Sequence, residues 1–258
     1  YVVGTTDKSF RKNRRKEKHI LVAKFNRSGE KKWTKQLKRR AIGTAVKSDQ
    51  RGNVFILGTK LDKLNKQKNI LLSKLTSNGI VKWSRSFVNS DIDTGESINL
   101  DTNGNIYILG TTKIPSSKGS SSALLPTLKS NILVIKLAPS GKKIWAQSIG
   151  TLRDDFGSSI VLDSKNNIYI TGHTRGSFPQ SENSGETDIF LLKLDPSGKK
   201  VWHKQFGTPF EDYGNALAID SFDNISVTGF TYGSLDENES KGGSDIFFVK
   251  FNSSGEKL

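Results

Sequence analysis

Among the residue types of this sequence, Lys and Arg indicate a binding chemistry most directly, because they are numerous and clustered. Residues 1–90 hold 24 of the 40 Lys and Arg residues but only 5 of the 25 Asp and Glu residues, within a chain of formal net charge +15. Most of this charge lies in three segments, DKSFRKNRRKEKH at 7–19, KQLKRRAIG at 35–43 and KLDKLNKQKN at 60–69. Clustered cations attract polyanions, and such binding weakens as salt rises.

The residues that usually carry catalysis or hold metals are sparse. His19, His173 and His203 occupy unrelated positions, and the chain has no Cys, which excludes disulfides and thiolate metal sites. No HExxH, GxSxG or phosphate-loop motif occurs. The sequence therefore predicts no catalytic residue, no metal site and no cofactor.

A phrase that occurs four times shows how the chain is organised. NRSGEKKWTKQL, TSNGIVKWSRSF, APSGKKIWAQSIGT and DPSGKKVWHKQFGT each place a Trp four residues after a Gly, and a fifth copy begins as NSSGEKL at the end. The spacing between the Trp residues varies between roughly 50 and 62 residues, which is typical of a repeat array with loops of variable length.

Each repeat reads as four short strands. In the fourth repeat, SSIVLD, IYITGHT and DIFLLKL alternate in polarity and are rich in β-branched and aromatic residues, and the Trp lies in a further strand after the next turn. Asp-containing turns such as DTNGN join the first strand to the second. Four antiparallel strands per repeat predict an all-β chain folded as a β-propeller.

The repeats resemble a known family. The phrase from DIFLLKLDPSGKKVWHKQFGT to EDYGNALAIDSFDNISVTGFT is similar to the SBBP-type β-propeller repeat, and the similarity covers nearly the whole chain. This resemblance implies a propeller fold and an exported or cell-envelope bacterial protein, and it implies no activity. A weaker resemblance links Gly198 and Trp202 to the tryptophan-docking phrase of quinoprotein propellers.

The boundaries of the repeats predict three whole blades, from Gly43 to about Gly207, flanked by two partial ones. We treat residues 1–258 as a single propeller domain and expect the chain to be a fragment of a longer protein, since no Met or signal peptide opens it. No window of 18 apolar residues exists, so the sequence predicts no membrane span. The oligomeric state is left open.

Repeated residues are expected to be structural. A ligand needs one site, whereas packing needs one residue per blade, so Trp33, Trp83, Trp145 and Trp202 are predicted to dock each blade on its neighbour. Lys193 and Lys250 are expected to contact the turn after the first strand of their own blade, through Asp163 and Asp220 or its carbonyls.

A second set of acidic residues lies in the connection that enters the first strand of each later repeat. We expect Asp93, Asp155 and Asp212 to cap local backbone N–H groups, and a cation site at a central opening is the alternative.

Successive strands of a blade run in opposite directions. The connection from the second strand to the third therefore lies on the same face of the propeller as the connection from the fourth strand to the first strand of the next blade. We call this the loop-bearing face. The basic segments of blades 1 and 2 should meet there and form one positive patch, and ordinary solvated loops are the alternative. The residues predicted to form it are Arg11, Arg14, Arg15, Lys38, Arg39, Arg40, Lys63 and Lys66.

These observations favour a non-enzymatic interaction module that uses variable loops on this face. Its expected partner is a protein or an acidic polymer, either a polyanionic glycan or a nucleic acid. The alternative is a carbohydrate-binding, lectin-like propeller, and an enzyme or a quinoprotein-like accessory is a third hypothesis.

Overall fold

The chain forms five antiparallel β-sheets that follow one another in sequence order, as a computed structural model shows. The structure describes residues 1–7, 17–62, 67–90, 92–115, 128–235 and 238–258, without the side chains of Lys38 and Arg39. Three sheets have four strands and two have three. The predicted all-β propeller of three whole and two partial blades is therefore confirmed. No helix of the described part is long and apolar enough to cross a membrane.

Blades 1 and 2 comprise seven strands, which are β1 (Val2–Thr6), β2 (His19–Phe25) and β3 (Lys31–Arg39) in blade 1, and β4 (Ala41–Ser48), β5 (Val54–Leu61), β6 (Lys68–Leu75) and β7 (Val81–Phe87) in blade 2. Blade 3 comprises β8 (Asp93–Leu100), β9 (Ile106–Pro115), β10 (Leu128–Leu137) and β11 (Lys143–Ile149). Blade 4 comprises β12 (Asp155–Leu162), β13 (Ile168–Thr174), β14 (Asp188–Leu194) and β15 (Lys200–Phe206), and blade 5 comprises β16 (Asp212–Ile219), β17 (Ile225–Thr231) and β18 (Asp245–Phe251).

The hydrophobic core is divided into four layers, one between each pair of neighbouring blades. Alternate residues of a strand enter different layers, since successive side chains point to opposite sides of a sheet. In β9, for example, Tyr107 and Leu109 face blade 4 whereas Ile106 and Ile108 face blade 2. The second and third strands of the whole blades are therefore apolar on both sides, and each blade depends on its neighbours for burial.

The first strand of each blade packs against the preceding blade and needs glycine to do so. A Cβ on Gly157 would lie 2.7 Å from Leu109 of blade 3, and a Cβ on Gly172 in the second strand would collide with the carbonyl oxygen of Phe156. Close approach of backbone is a position where only glycine fits. The glycine of each second strand thus allows the first strand to lie against it.

Each repeated Trp lies in the layer between its own blade and the next. The indole of Trp145 packs beside the turn glycine of blade 4, where a Cβ on Gly198 would lie 3.3 Å away. Trp33, Trp83 and Trp202 approach Gly79, Gly141 and Gly255 in the same way. From blade 2 onward, the Gly of the repeated phrase therefore receives the Trp of the blade before it.

Three of the Lys residues that recur in the third strands also reach across this layer to a carbonyl oxygen of the next blade, namely Lys24, Lys136 and Lys193. Lys193 Nζ donates to the carbonyl oxygen of Ser253 in blade 5 at 2.8 Å, so its predicted contact with Asp163 is wrong. Asp163 is occupied within its own turn, where it accepts from Asn167 and Tyr169. Lys250 Nζ lies 2.9 Å from Asp220 Oδ2, and this predicted contact is confirmed.

The close approach at Gly172 can be tested with a matched position in blade 1. Gly172→Ala should lower the free energy of unfolding by about 3 kcal/mol or more, because a backbone carbonyl cannot move aside as a side chain can. Gly4 occupies the same position of its repeat, yet nothing lies within 4 Å of a Cβ there. Gly4→Ala should therefore change stability little, and equal losses in chemical denaturation of the two variants would contradict this account.

Candidate functional site on the loop-bearing face

The two faces of the propeller differ in the hydrogen-bond partners of their Asp side chains. The face opposite the loops consists of short turns whose carboxylates are saturated locally. Asp101 Oδ1 accepts from the backbone N–H of Asn105 at 2.8 Å, and its Oδ2 accepts from the Asn105 side chain at 2.8 Å. Asp49, Asp163 and Asp220 bond their own Asn residues in the same way. These predicted turns are closed by their own side chains.

On the loop-bearing face, buried carboxylates hold the connections in place. Asp155 is fully buried, and it accepts from the Thr151 backbone N–H and from the Thr174 hydroxyl, both at 2.6 Å. Burial raises the pKa of Asp155 despite these hydrogen bonds. Asp93 and Asp212 accept from backbone N–H groups at the equivalent positions. The capping predicted for these three residues is confirmed.

The predicted basic patch falls mainly outside the part of the chain that the structure describes. Arg11, Arg14, Arg15, Lys63 and Lys66 lie outside the described residues, as do the side chains of Lys38 and Arg39. Arg40 is described, and its guanidinium Nη2 pairs with Glu17 Oε1 at 2.8 Å. One of the eight cations thus has an acidic partner, and the contiguous patch stays a prediction.

An open cleft of about 800 Å³ lies between blades 3 and 4 on the loop-bearing face. Three connections supply its walls, with Leu128 and Lys129 at the start of β10, residues 152–154 before β12, and residues 175–177, 183 and 185 after β13. Lys129 donates from Nζ to the carbonyl oxygen of Thr151. Arg153 and Arg175 are exposed, and no ion pair joins either of them to a carboxylate of the described chain.

Asp154 is the carboxylate that lines this cleft. Its Oδ1 accepts from the Ser130 backbone N–H at 2.6 Å and lies 3.7 Å from Lys113 Nζ. Partial burial alone would favour the neutral acid, but the Ser130 hydrogen bond and the charges of Lys113 and Arg175 hold the pKa of Asp154 below its ordinary value. The cleft therefore carries one negative charge, already partnered, among several positive ones.

Beside the cleft, five aromatic side chains form a continuous series across blades 4 and 5, which we call the aromatic run. It consists of Phe156, His173, Tyr213, Phe230 and Tyr232 in that order. Successive ring centroids are 5.0, 4.7, 4.7 and 5.9 Å apart. Such separations are within the range of favourable aromatic pairs.

Strand register explains how the run forms. Phe156 pairs with His173 across β12 and β13, and Tyr213 pairs with Phe230 across β16 and β17. The equivalent cross-strand pairs are Ile42 with Thr59 in blade 2 and Thr94 with Thr111 in blade 3. The aromatic pairs therefore depart from the repeat in blades 4 and 5.

His173 is a neutral aromatic member of the run. It lies between Phe156 and Tyr213, its Nδ1 has no hydrogen-bond partner in the described chain, and burial together with the nearby Arg175 charge lowers its pKa to about 4. The imidazole is thus uncharged at neutral pH and packs as a ring.

His203 is the histidine with a serine neighbour. Its Nε2 lies 3.2 Å from Ser181 Oγ, and its ring packs 5.4 Å from that of Phe178. A serine nucleophile normally needs a base that a third group orients, commonly a carboxylate. Within the described ranges, no group of three His, Asp or Glu residues could hold a metal ion.

Sequence reasoning did not identify the cleft or the aromatic run. The cleft residues come from three connections far apart in sequence, and only the TLRDD and HTRG stretches show unusual charge there. The departure from the repeat at Phe156, His173, Tyr213 and Phe230 was the signal that could have found the run.

Comparison with known proteins identifies the repeats. The family model described as beta-propeller repeat, SBBP, matches residues 82–115, 144–179 and 201–236. Each match begins in the Trp-bearing strand of one blade and extends through or beyond the second strand of the next. The fold observed in the structure and the repeats found by the family model therefore agree.

A sequence relative and two solved structures are similar to parts or all of the chain. An uncharacterized WD repeat-containing protein of Acanthamoeba polyphaga mimivirus is 30% identical over an alignment of 108 residues, and the match covers 33% of this chain and 8% of that protein. A Bacteroides caccae protein of unknown function has a TM-score of 0.52 at 12% identity, covering 99% of this chain and 70% of that one. Puromycin hydrolase has a TM-score of 0.50 at 11% identity, covering 94% and 35%. At these identities the structures show the shared fold alone.

The lowered pKa of His173 predicts a pH dependence of stability. As pH falls below 6.5, the unfolded chain gains a proton at this residue that the folded chain binds only near pH 4, so the folded state loses stability across that interval. Between pH 7 and pH 4.5, the wild type should lose about 2 kcal/mol more of its unfolding free energy than His173→Phe. Denaturant titrations at both pH values measure this difference, and equal losses in the two proteins would refute it.

Proposed function

Because the chain carries three SBBP-type β-propeller repeats, we propose that it is a non-enzymatic interaction module that binds a macromolecular partner through the loop-bearing face. The basic residues of blades 1 and 2 would extend this surface to acidic partners. The proposal concerns the chain as a binding surface, and the relative with WD repeats covers only part of it.

The contrast between the two faces carries this proposal. On the opposite face, repeated carboxylates close their own turns, as Asp101 does with Asn105. On the loop-bearing face, Arg153 and Arg175 project without ion-pair partners in the described chain, and Leu152 is 62% exposed. Unpaired Arg and exposed apolar side chains together are typical of protein interaction surfaces.

The non-enzymatic assignment rests on the chemistry of the described residues. Within the described residues, His203 has Ser181 as its hydrogen-bond partner and no carboxylate, and Asp93, Asp155 and Asp212 are engaged as caps. Puromycin hydrolase shares the fold, but a fold hosts many functions, so activity has to be argued from the site.

We also propose an exported or cell-envelope location in a bacterium, for which the support is the resemblance of the repeats. Fractionation of cells that produce the natural full-length protein tests this, and recovery in the cytosol would contradict it.

Blades 1 and 2 supply the direct test of polyanion binding. The protein should be retained on heparin or DNA resin at low salt and elute as salt rises, since displaced counterions set the salt dependence. Contacts to phosphate carry no sequence information, so little preference among DNA sequences is expected. Replacing Arg11, Arg14 and Arg15 with Glu should abolish or strongly reduce retention.

A control variant makes the same change of charge on the opposite face. Lys142, Lys199 and Lys200 are exposed at or beside turns there, and replacing all three with Glu should leave most of the retention. Equal loss in both variants would mean that net charge drives binding. A wild type that is not retained at low salt would exclude the polyanion part of the proposal.

A further inference from the structure

The cleft between blades 3 and 4 and the aromatic run adjoin each other at Arg175. This residue lines the cleft and lies two residues after His173, whose ring packs 4.7 Å from that of Tyr213 in the run. We propose that the two features form one docking site for an acidic segment of a partner protein that also carries large apolar side chains. The inference rests on the proposed interaction function and names the chemistry of its partner.

The exposed apolar side chains of the site explain why the partner segment should carry large apolar residues. Leu128 and Leu152 line the cleft and are 52% and 62% exposed, and Tyr232 at the end of the run is 45% exposed. Phe210, in the connection before β16, is 58% exposed. Large apolar side chains gathered on one face of a folded chain mark an interaction site more often than they mark chance.

The charged side chains of the cleft explain why the partner segment should be acidic. Lys129, Arg153 and Arg175 line the cleft with Asp154, whose carboxylate is already close to Lys113 and bonded to the Ser130 backbone. Exposed guanidinium groups without partners favour carboxylates, which they can bind through two parallel hydrogen bonds. The cleft therefore complements an acidic group.

The distribution of charge across the site favours one orientation of a bound segment. The charge of Glu211, in the connection before β16, acts on Tyr213 of the aromatic run, so a negative charge lies on the blade 5 side, whereas Arg153 and Arg175 line the cleft between blades 3 and 4. A bound segment should place its carboxylates in the cleft and its apolar side chains along the run toward blade 5.

The same residues favour a protein segment over a sugar chain. Phe156 is stacked on His173 at 24° and Tyr213 on Phe230 at 25°, so each of these rings has one face covered by its neighbour. The aliphatic Leu128 and Leu152 offer no hydrogen bond to a hydroxyl group. Tyr and Arg together with buried apolar contacts are instead the residues that dominate the energetics of protein interfaces.

Neighbouring repeats lack this combination. The connection that carries Leu152 and Arg153 in TLRDDF reads TPFEDY before β16, where Pro209 and Phe210 stand in their place. Blades 2 and 3 carry Ile42, Thr59, Thr94 and Thr111 where the run has aromatic rings. Packing between blades does not require these residues, because the other blades are formed without them.

Selection of peptides against the folded chain tests the inference. A display library of random dodecamers should enrich for sequences that combine Asp or Glu with Leu, Phe, Tyr or Trp. One enriched peptide, labelled with a fluorophore, then gives dissociation constants by anisotropy. Replacing both Arg153 and Arg175 with Gln should weaken its binding at least tenfold, and Tyr232→Ala or Leu152→Ser should each weaken it about fivefold or more.

Matched controls lie on the opposite face. Lys199→Gln with Lys200→Gln removes two charges, and Phe222→Ala removes an aromatic ring that is 84% exposed in the turn before β17. These variants should change binding less than twofold. Every substituted side chain is exposed, so thermal melts should confirm that all variants stay folded.

Three outcomes would overturn the inference. The first is the absence of acidic, apolar peptides among those enriched, and the second is equal binding by the cleft variants and the wild type. The third is displacement of the peptide by neutral or acidic oligosaccharides, which would assign the site to a glycan. Retention on heparin resin that depends on Arg11, Arg14 and Arg15 would still support the proposed function, so the two failures are distinguishable.

Discussion

The close approach of each blade to the one before it is the constraint on which this molecule depends. Its sheets are apolar on both sides, so none can bury its surface without a neighbour. Glycine permits the contact at the first strand, as Gly157 does against Leu109, and a Trp such as Trp145 fills the outer part of the layer beside the next turn. Stability then accumulates from interfaces between neighbouring repeats, as in other repeat proteins.

The contacts within and between blades engage the residues that recur in the repeats. The residues that differ between repeats are not needed for these contacts. Each Trp, each turn Asp and most of the repeated Lys residues are engaged in contacts within or between blades. Under the proposed interaction function, binding specificity would come from positions where one blade differs from the rest. Arg153, Arg175 and the Tyr213–Phe230 pair are such positions, and all lie on the face whose connections vary in length.

The buried carboxylates and the exposed guanidinium groups of the loop-bearing face have separate roles. Asp155 is held inside by hydrogen bonds and fixes the connection from which Arg153 projects. The same connection therefore has a rigid base and an exposed tip, which is an arrangement suited to binding, because less freedom is lost when a partner docks.

Local patterns in the sequence determined the fold. Period-two alternation marked the strands, Asp and Gly marked the turns, and the repeated Trp phrase marked the blades, because each of these signals acts over a few residues. Contacts between blades were decided only by the tertiary structure. Lys193 bonds Ser253 rather than Asp163, and Leu128, Arg153 and Arg175 meet in one cleft, because the stacking of whole sheets sets which distant residues become neighbours.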